Sequence, residues 1–368
     1  MPPEPPLVAI VHLARAGSFG AKARLAGLTE VFETAGASVM QVRLLEDHRV
    51  RAVDVLRPGL SAVLAGETVP EAMAWSHRSV MAHLDSVHPD VVLCMTARAY
   101  HPELRRGPWH VVLDYVDRLS DSYRDRARIL GRTPKATAFA ALAATARRFE
   151  RSRSRTEVTA IAAGWSDAKA LGAEWIPITE HLAPPIADTA PEHDVLFLGK
   201  LSYPPNVEAI ERLAAMWPAL QRRRPGTTAL LAGANPRPAE LALARKLGWS
   251  VQADFEDLDR VIASARLGAV PLVHASGIQT KILTAAARGL AQVVDPVATA
   301  GFAPGFPLRL AEGNDAFVEA TADLLDDQHA RRELGDAARD HVNDTYSATR
   351  WAPWARGLLG RVGSSGRP

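Results

Sequence analysis

One cysteine, Cys94, stands among 368 residues, so neither an intramolecular disulfide framework nor a thiolate zinc cluster is available. Aromatic residues make up only 6% and do not interleave with an arginine stripe, which argues against nucleic acid as a partner. Neither sign of charge is in real excess: 43 Lys and Arg face 41 Asp and Glu, a net of +2. No apolar run approaches the roughly 18 residues of a membrane span. The beginning, MPPEPP and then Leu7–Leu13, lacks the basic region and small-residue cleavage site of a signal peptide. Also missing are H-x-x-x-H, H-E-x-x-H and D-x-D runs in a metal-site context, and the G-x-x-x-x-G-K-[ST] phosphate loop. What is present is 47% apolar and 23% charged, the balance of a globular protein with more chain than one ordinary core holds. The expectation is a cytoplasmic enzyme of about two domains, with no cofactor and no metal.

The order of apolar runs sets the class. Leu7–Leu13 reads as a buried strand, followed by a glycine-containing loop (Gly17 to Gly20) and a helix from Ala21 to about Ala35. Ser38–Leu44, Asp90–Met95, Val111–Asp114 and Val158–Ala162 read as further strands, and Pro70–Val87 as a helix. Short strands alternating with longer amphipathic helices imply βαβ units and parallel sheets covered on both faces. The proline-rich segment Leu182–His193 interrupts the alternation and reads as a linker. The alternation then restarts with strands at Asp194–Leu198, Thr228–Leu231, Ser250–Ala253, Leu267–Leu272 and Ala291–Val294. Helices at Pro205–Arg223, Ala239–Leu247, Leu258–Ser264 and Gln279–Arg288 fall around and between them. Three helices close the chain, near Asp315–Leu325, Ala330–Asn343 and Ala348–Gly360. The expected division is 1–181, a linker at 182–193, 194–345, a helix at 346–362 returning to the first domain, and a disordered tail at 363–368. Two such α/β domains form a cleft where strand C-termini face each other, and ligands of open α/β sheets lie outside those strand ends.

Two stretches carry chemistry. In Leu196–Ile210 a buried strand ends at Gly199, where the missing side chain lets backbone approach a ligand, and Lys200 follows at once. In Val270–Val294 a strand ends near Leu272, a loop passes Ser276 and Gly277, and a helix begins near Ile278 with Lys281 in its first turn. Free N–H groups at a helix start beside a lysine suit a diphosphate without a metal; a surface lysine beside an ordinary capped helix suits the spacing equally.

Together these stretches resemble family 4 glycosyltransferases, the retaining, nucleotide-sugar-dependent class with the GT-B fold. The resemblance runs from Asp194 to about Tyr346. It rests on F-x-G-x-L-x-Y-x-P-N-V-x-A (Phe197 to Ala209), G-I-Q-T-K-I-L (Gly277 to Leu283) and D-x-x-x-R-x-x-L-G-x-x-A-R-x-x-V (Asp327 to Val342). Before the linker it is carried by the glycine loop and by LDYVDRLSDSY, Leu113–Tyr123. The resemblance implies two Rossmann-like domains and a nucleoside diphosphate-sugar donor. Lys200 and Lys281 are then the catalytic cations that neutralise the diphosphate. Gly17, Gly20, Gly199, Gly277 and Ile278 let backbone approach it, and Asp254 and Phe255 flank the base. Where members of the family carry two glutamates eight positions apart, this sequence has Ser276 and Thr284, so the usual ribose carboxylate is missing.

For the acceptor, Asp114 and Asp117 follow a strand end and suit either a base or a capped, solvated helix start. His101 also follows a strand, and His12 within a strand reads as a buried structural histidine. The run Arg147–Arg155 suits a solvated helix face or weak contact with acidic headgroups. An epimerase or phosphorylase on the same fold, or a non-catalytic sugar-nucleotide-binding protein, are the alternatives to transfer of a sugar to a glycan, lipid-linked or natural-product acceptor.

Overall fold

Val91 to Met95 has no exposed residue on either face, which only a strand covered by helices on both sides can achieve. In the computed structural model, which describes residues 4–13, 19–44, 58–74, 77–153, 158–181, 191–275 and 277–364, this strand lies inside the first of two units. Unit 1 comprises Met1–Thr179 and Ala348–Pro368; unit 2 comprises Glu180–Ser347.

Unit 1 contains strands β1 (Leu7–His12), β2 (Ser38–Arg43), β3 (Val91–Met95), β4 (His110–Asp114), β5 (Thr159–Ala162) and β6 (Glu174–Trp175). They pair in the order β2-β1-β3-β4-β5-β6, all parallel. Helices α1 (Phe19–Thr34), α2 (Pro58–Ala65), α3 (His77–Val87), α4 (Leu119–Leu130), α5 (Pro134–Arg153) and α6 (Trp165–Leu171) join them. Alternate strand residues build two cores. Ala9, Val11, Val92, Cys94 and Leu113 face one side with Phe149, and Val8, Ile10, Val91, Leu93 and Val112 face the other. Burying each large apolar side chain contributes about 1.5–3 kcal/mol. Cys94 is part of this packing, and burial pushes its thiol up.

Unit 2 contains β7 (His193–Leu198), β8 (Ala229–Gly233), β9 (Ser250–Ala253), β10 (Ala265–Val270), β11 (Gln292–Val294) and β12 (Arg309–Leu310). Their order, β12-β11-β10-β7-β8-β9, is again all parallel. Its helices are α7 (Pro204–Arg223), α8 (Pro238–Leu247), α9 (Leu258–Ala263), α10 (Thr280–Ala286), α11 (Asn314–Asp326) and α12 (Gln328–Tyr346). The last helix, α13 (Ala348–Ser364), belongs to unit 1, where Ala355 and Leu358 enter the second core. There Trp354 stacks near Phe32 at 5.9 Å and donates from Nε1 to Glu174 Oε2 at 2.8 Å. Among the described residues no helix is long and apolar enough to cross a membrane.

Several sequence expectations change. The helix expected over Pro70–Val87 is a 3-10 turn at Pro70–Ala74 and a separate helix, α3; the turn buries Ala72 completely. Helices α2 and α6 and the edge strands β6 and β12 were not anticipated, and α4 and α5 only in part, as a helix start after Asp117 and a solvated helix face at Arg147–Arg155. Most of the linker, 182–190, and the tail residues 365–368 lie outside the described residues, while α13 runs to Ser364, into the expected tail.

Candidate functional site

The sheet of unit 2 reverses its strand order at β7. The chain builds β8 and β9 on one side of β7 and then returns to place β10 on the other. Connections leaving β7 and β10 therefore run apart, and the crevice beyond their C-terminal ends is where open α/β sheets bind ligands. Gly199 ends β7 with φ +154°, and a Cβ there would lie 2.8 Å from Asn206 Nδ2 and 3.5 Å from Lys281 Nζ. Gly233 ends the neighbouring β8 with φ +153°, and a Cβ there would fall 1.6 Å from the Gly199 carbonyl oxygen. Both positions require glycine, and the second sets the backbone of the first.

Lys281 reaches this strand end. Its Nζ donates to Asn206 Oδ1 at 2.5 Å and lies 5.1 Å from the centre of the Phe197 ring. Burial, with no carboxylate to offset it, lowers the amine's pKa to about 7. Asn206 holds both sides together, since its Nδ2 donates to the Lys200 carbonyl at 2.9 Å. It sits in the first turn of α7, is 5% exposed, and belongs to the motif stretch quoted above, where an asparagine just after two helix-starting prolines was the overlooked signal. The Lys200 side chain itself is exposed.

The loop after β10 is pinned from α7. Arg212 Nη1 reaches Pro271 O, Leu272 O and Asp295 Oδ2, the last at 2.7 Å. Helix α10 starts at Thr280, later than expected, so Gly277 (φ +63°) and Ile278 belong to the loop. Gly301 makes room for them: a Cβ there would lie 2.4 Å from Ile278 Cα. With seven residues, α10 brings little axial dipole, and the positive charge of the site rests on its lysine. Ser276 and Gly17 lie outside the described residues.

Thr284, expected to face the ribose, is 2% exposed and donates to Glu180 Oε2 at 2.9 Å. Arg288 completes the cluster through Glu180 Oε1 at 3.3 Å, Asp259 Oδ1 at 2.5 Å and the Thr284 carbonyl at 2.9 Å. The hydroxyl is therefore engaged inside the protein, and a carboxylate does stand beside α10, supplied by Glu180. Asp254 (φ +48°) is exposed and accepts from the Asn235 N–H at 3.2 Å, joining the loops after β8 and β9. Phe255 packs on the cluster containing Leu196, Leu230 and Ile262.

Of the acceptor candidates of unit 1, Asp114 and Asp117 lie close enough for one charge to act on the other, but their roles differ. Asp114 is fully buried and takes Arg24 on both oxygens, Nε at 2.8 Å and Nη2 at 2.9 Å. Arg24 also donates to Ile176 O and Pro177 O, each at 2.7 Å. This buried pair corrects the acceptor expectation: Asp114 is a structural group with no free oxygen edge. His101 is 6% exposed, and its Nδ1 accepts from the Glu103 N–H as a local cap. Gly20 opens α1, and a Cβ there meets nothing within 4 Å. Asp117 is half-buried beyond the strained Val116 (φ +61°), and burial raises its carboxyl. Its neighbour Asp167 is pushed up to about 7 by burial and by nearby Asp117. His12 is 4% exposed, and burial lowers its pKa. Among the described residues no group of three or more His, Cys, Asp or Glu side chains is placed to hold a metal ion.

Residues 192–327, within unit 2, match the family model described as "Glycosyl transferases group 1". No curated protein matches the sequence. Among solved structures, a glycosyltransferase from Rickettsia africae is similar over 98% of this chain and 100% of its own, with 8% identity and a TM-score of 0.66. WaaG, a glycosyltransferase involved in lipopolysaccharide biosynthesis, aligns over 96% of this chain and 99% of its own, at 14% identity and a TM-score of 0.61. HepE of Anabaena, in complex with UDP and glucose, aligns over 98% and 100%, at 13% identity and a TM-score of 0.57. Together with the two parallel sheets, these likenesses show the GT-B fold.

Proposed function

We propose that the crevice at Gly199, Asn206 and Lys281 binds the diphosphate of a nucleoside diphosphate-sugar, and that the chain transfers the sugar to a hydroxyl acceptor with retained anomeric configuration and without a metal ion. The observation that carries this reading is a half-buried lysine amine held against a side-chain-free strand end at the switch point of a Rossmann-ordered sheet; a bound diphosphate favours its charged form. Departure of the diphosphate develops negative charge on its oxygens. A cation already oriented by Asn206 stabilises that charge without reorganising, which is the basis of electrostatic catalysis. Lys200, exposed at the same strand end, is the second cation of the proposal. Asp254 and Phe255 remain proposed neighbours of the base. The likeness to the Anabaena structure holding UDP and glucose favours a uridine diphosphate sugar. Unit 1 is proposed to take the acceptor.

Incubation with a panel of nucleoside diphosphate-sugars, reading released nucleotide with and without candidate acceptors, tests the reading. Acceptor-dependent release that collapses in Lys281→Ala supports it. Failure of every nucleoside diphosphate to bind overturns it, and acceptor-free sugar conversion turns it into an epimerase.

A further inference from the structure

The helical hairpin of unit 1 carries far more positive charge than the chain as a whole. Residues 118–152 hold nine arginines and lysines against three acids, in a protein whose net charge is +2. Those acids are already used. Asp121 serves both Arg118, at 3.0 Å, and Arg124, at 2.6 Å, and Asp125 faces Arg128 at 3.6 Å. Glu150 accepts from the Ser120 N–H and hydroxyl, at 2.9 and 2.6 Å, and so holds the first turn of α4.

At the root of this hairpin, Arg118, Arg147 and Arg151 surround a depression of about 300 Å³ together with Glu150, Ala170 and Leu171. Arg118 is the residue from which α4 starts, and its Nε is buried without a hydrogen-bond partner. Arg147, Glu150 and Arg151 share one face of α5 at helical spacing. A buried N–H with no acceptor calls for an explanation, and three guanidinium groups around one concavity supply the fork geometry that matches phosphate oxygens. Behind Arg118, burial raises the carboxyls of Asp167 and Asp117, which reduces the negative charge opposing an anion there.

We propose that Arg118, Arg147 and Arg151 form a binding site for a phosphate group in unit 1, separate from the crevice of unit 2. The ligand is a phosphate ester, either free or as a lipid headgroup. The depression has room for the phosphate and the first atoms of its substituent, and the Ala170 and Leu171 wall suits an apolar continuation.

The test uses the full chain carrying Lys281→Ala, so that phosphate binding in unit 2 is weakened. Inorganic pyrophosphate is titrated calorimetrically into this protein and into the same protein with Arg147→Ala and Arg151→Ala. Both arginines lie on the exposed side of α5, and far-UV circular dichroism confirms that each variant is folded. In parallel, flotation with phosphatidylcholine vesicles, with and without phosphatidic acid, reads the headgroup form. Pyrophosphate affinity that falls tenfold or more in the arginine variant establishes the site with a soluble ligand. Binding seen only with phosphatidic acid vesicles, and lost in the same variant, establishes it with a lipid headgroup. Absence of both, or binding that survives Arg147→Ala and Arg151→Ala, overturns the proposal. So does vesicle binding abolished equally by Arg124→Ala and Arg126→Ala, since that marks a diffuse basic face instead of a pocket.

Discussion

Thr284 donates its hydroxyl proton to Glu180 at 2.9 Å across 104 residues of sequence. The contact places a carboxylate beside α10 at a point where the helix itself offers only a hydroxyl. Glu180 is fixed from both ends, by Arg288 on its other oxygen and by its own N–H donating to the Tyr346 carbonyl at 2.8 Å.

Thr284→Val should therefore cost stability, because it strips a donor from a largely buried carboxylate; about 1–3 kcal/mol is expected in urea unfolding of unit 2. Thr284→Glu should cost more at neutral pH, since two carboxylates would share one site, and should recover toward pH 4 as one of them protonates. A glutamate tolerated without loss at pH 7 would show that Glu180 moves away.

The amine of Lys281 has a pKa near 7 against 10.5 for an ordinary lysine, because burial disfavours its charge. Between these values the unfolded chain binds a proton that the folded chain lacks, so stability rises with pH across the window from about 7 to 10.5. Lys281→Met should flatten that rise. A diphosphate favours the charged amine, so nucleotide binding above pH 7 should take up a proton and weaken as pH increases. Calorimetry in two buffers of different ionisation enthalpy measures the uptake.

Arg24 and Asp114 are 1% and 0% exposed, and removing one partner leaves the other charged and buried. Arg24→Met or Asp114→Ala should destabilise unit 1 by about 3–5 kcal/mol. The loss should appear in thermal or denaturant unfolding, and refolded enzyme should show no selective rise in acceptor KM.

Gly233→Ala forces a Cβ onto the Gly199 carbonyl oxygen and should weaken nucleotide binding at least tenfold while costing about 1–3 kcal/mol of stability. Gly20→Ala meets no atom and lies in the first turn of α1, so it should leave stability unchanged or raise it slightly, by less than the ~0.5–1 kcal/mol of a mid-helix glycine. Paired melting curves and nucleotide titrations distinguish the two glycines.

Turnover should survive chelation, because the charge of the leaving diphosphate is assigned to lysines. Loss of activity in EDTA, restored by magnesium, would transfer that role to a metal ion.

The central strands of unit 2, β7, β8, β10 and β11, were legible because a buried parallel strand is a short apolar run. Ser250–Ala253 keeps its bounds as β9 although it is exposed throughout, and the two-residue edge strand β12 was not legible. Helices α4 and α5 were legible only in pieces, as a helix start after Asp117 and a solvated face at Arg147–Arg155. The first is amphipathic, but arginine and aspartate outweigh its narrow apolar face, and the second is alanine around single large residues with no strong apolar stripe. Their pairing as a hairpin around Phe149 and Tyr123 is what buries them.

By itself the sequence determined two parallel sheets, a glycine at the end of β7 and a lysine one strand away on α10, since these follow from local periodicity and from where a side chain is absent. Partner choice was decided only by the tertiary structure. Asn206 meets Lys281 across 75 positions, Arg24 meets Asp114 across 90, and Thr284 meets Glu180 across 104. A hydrogen bond acts over about 3 Å, so which polar groups are satisfied, shifted or left free depends on sheet order and helix docking, to which a local pattern is blind.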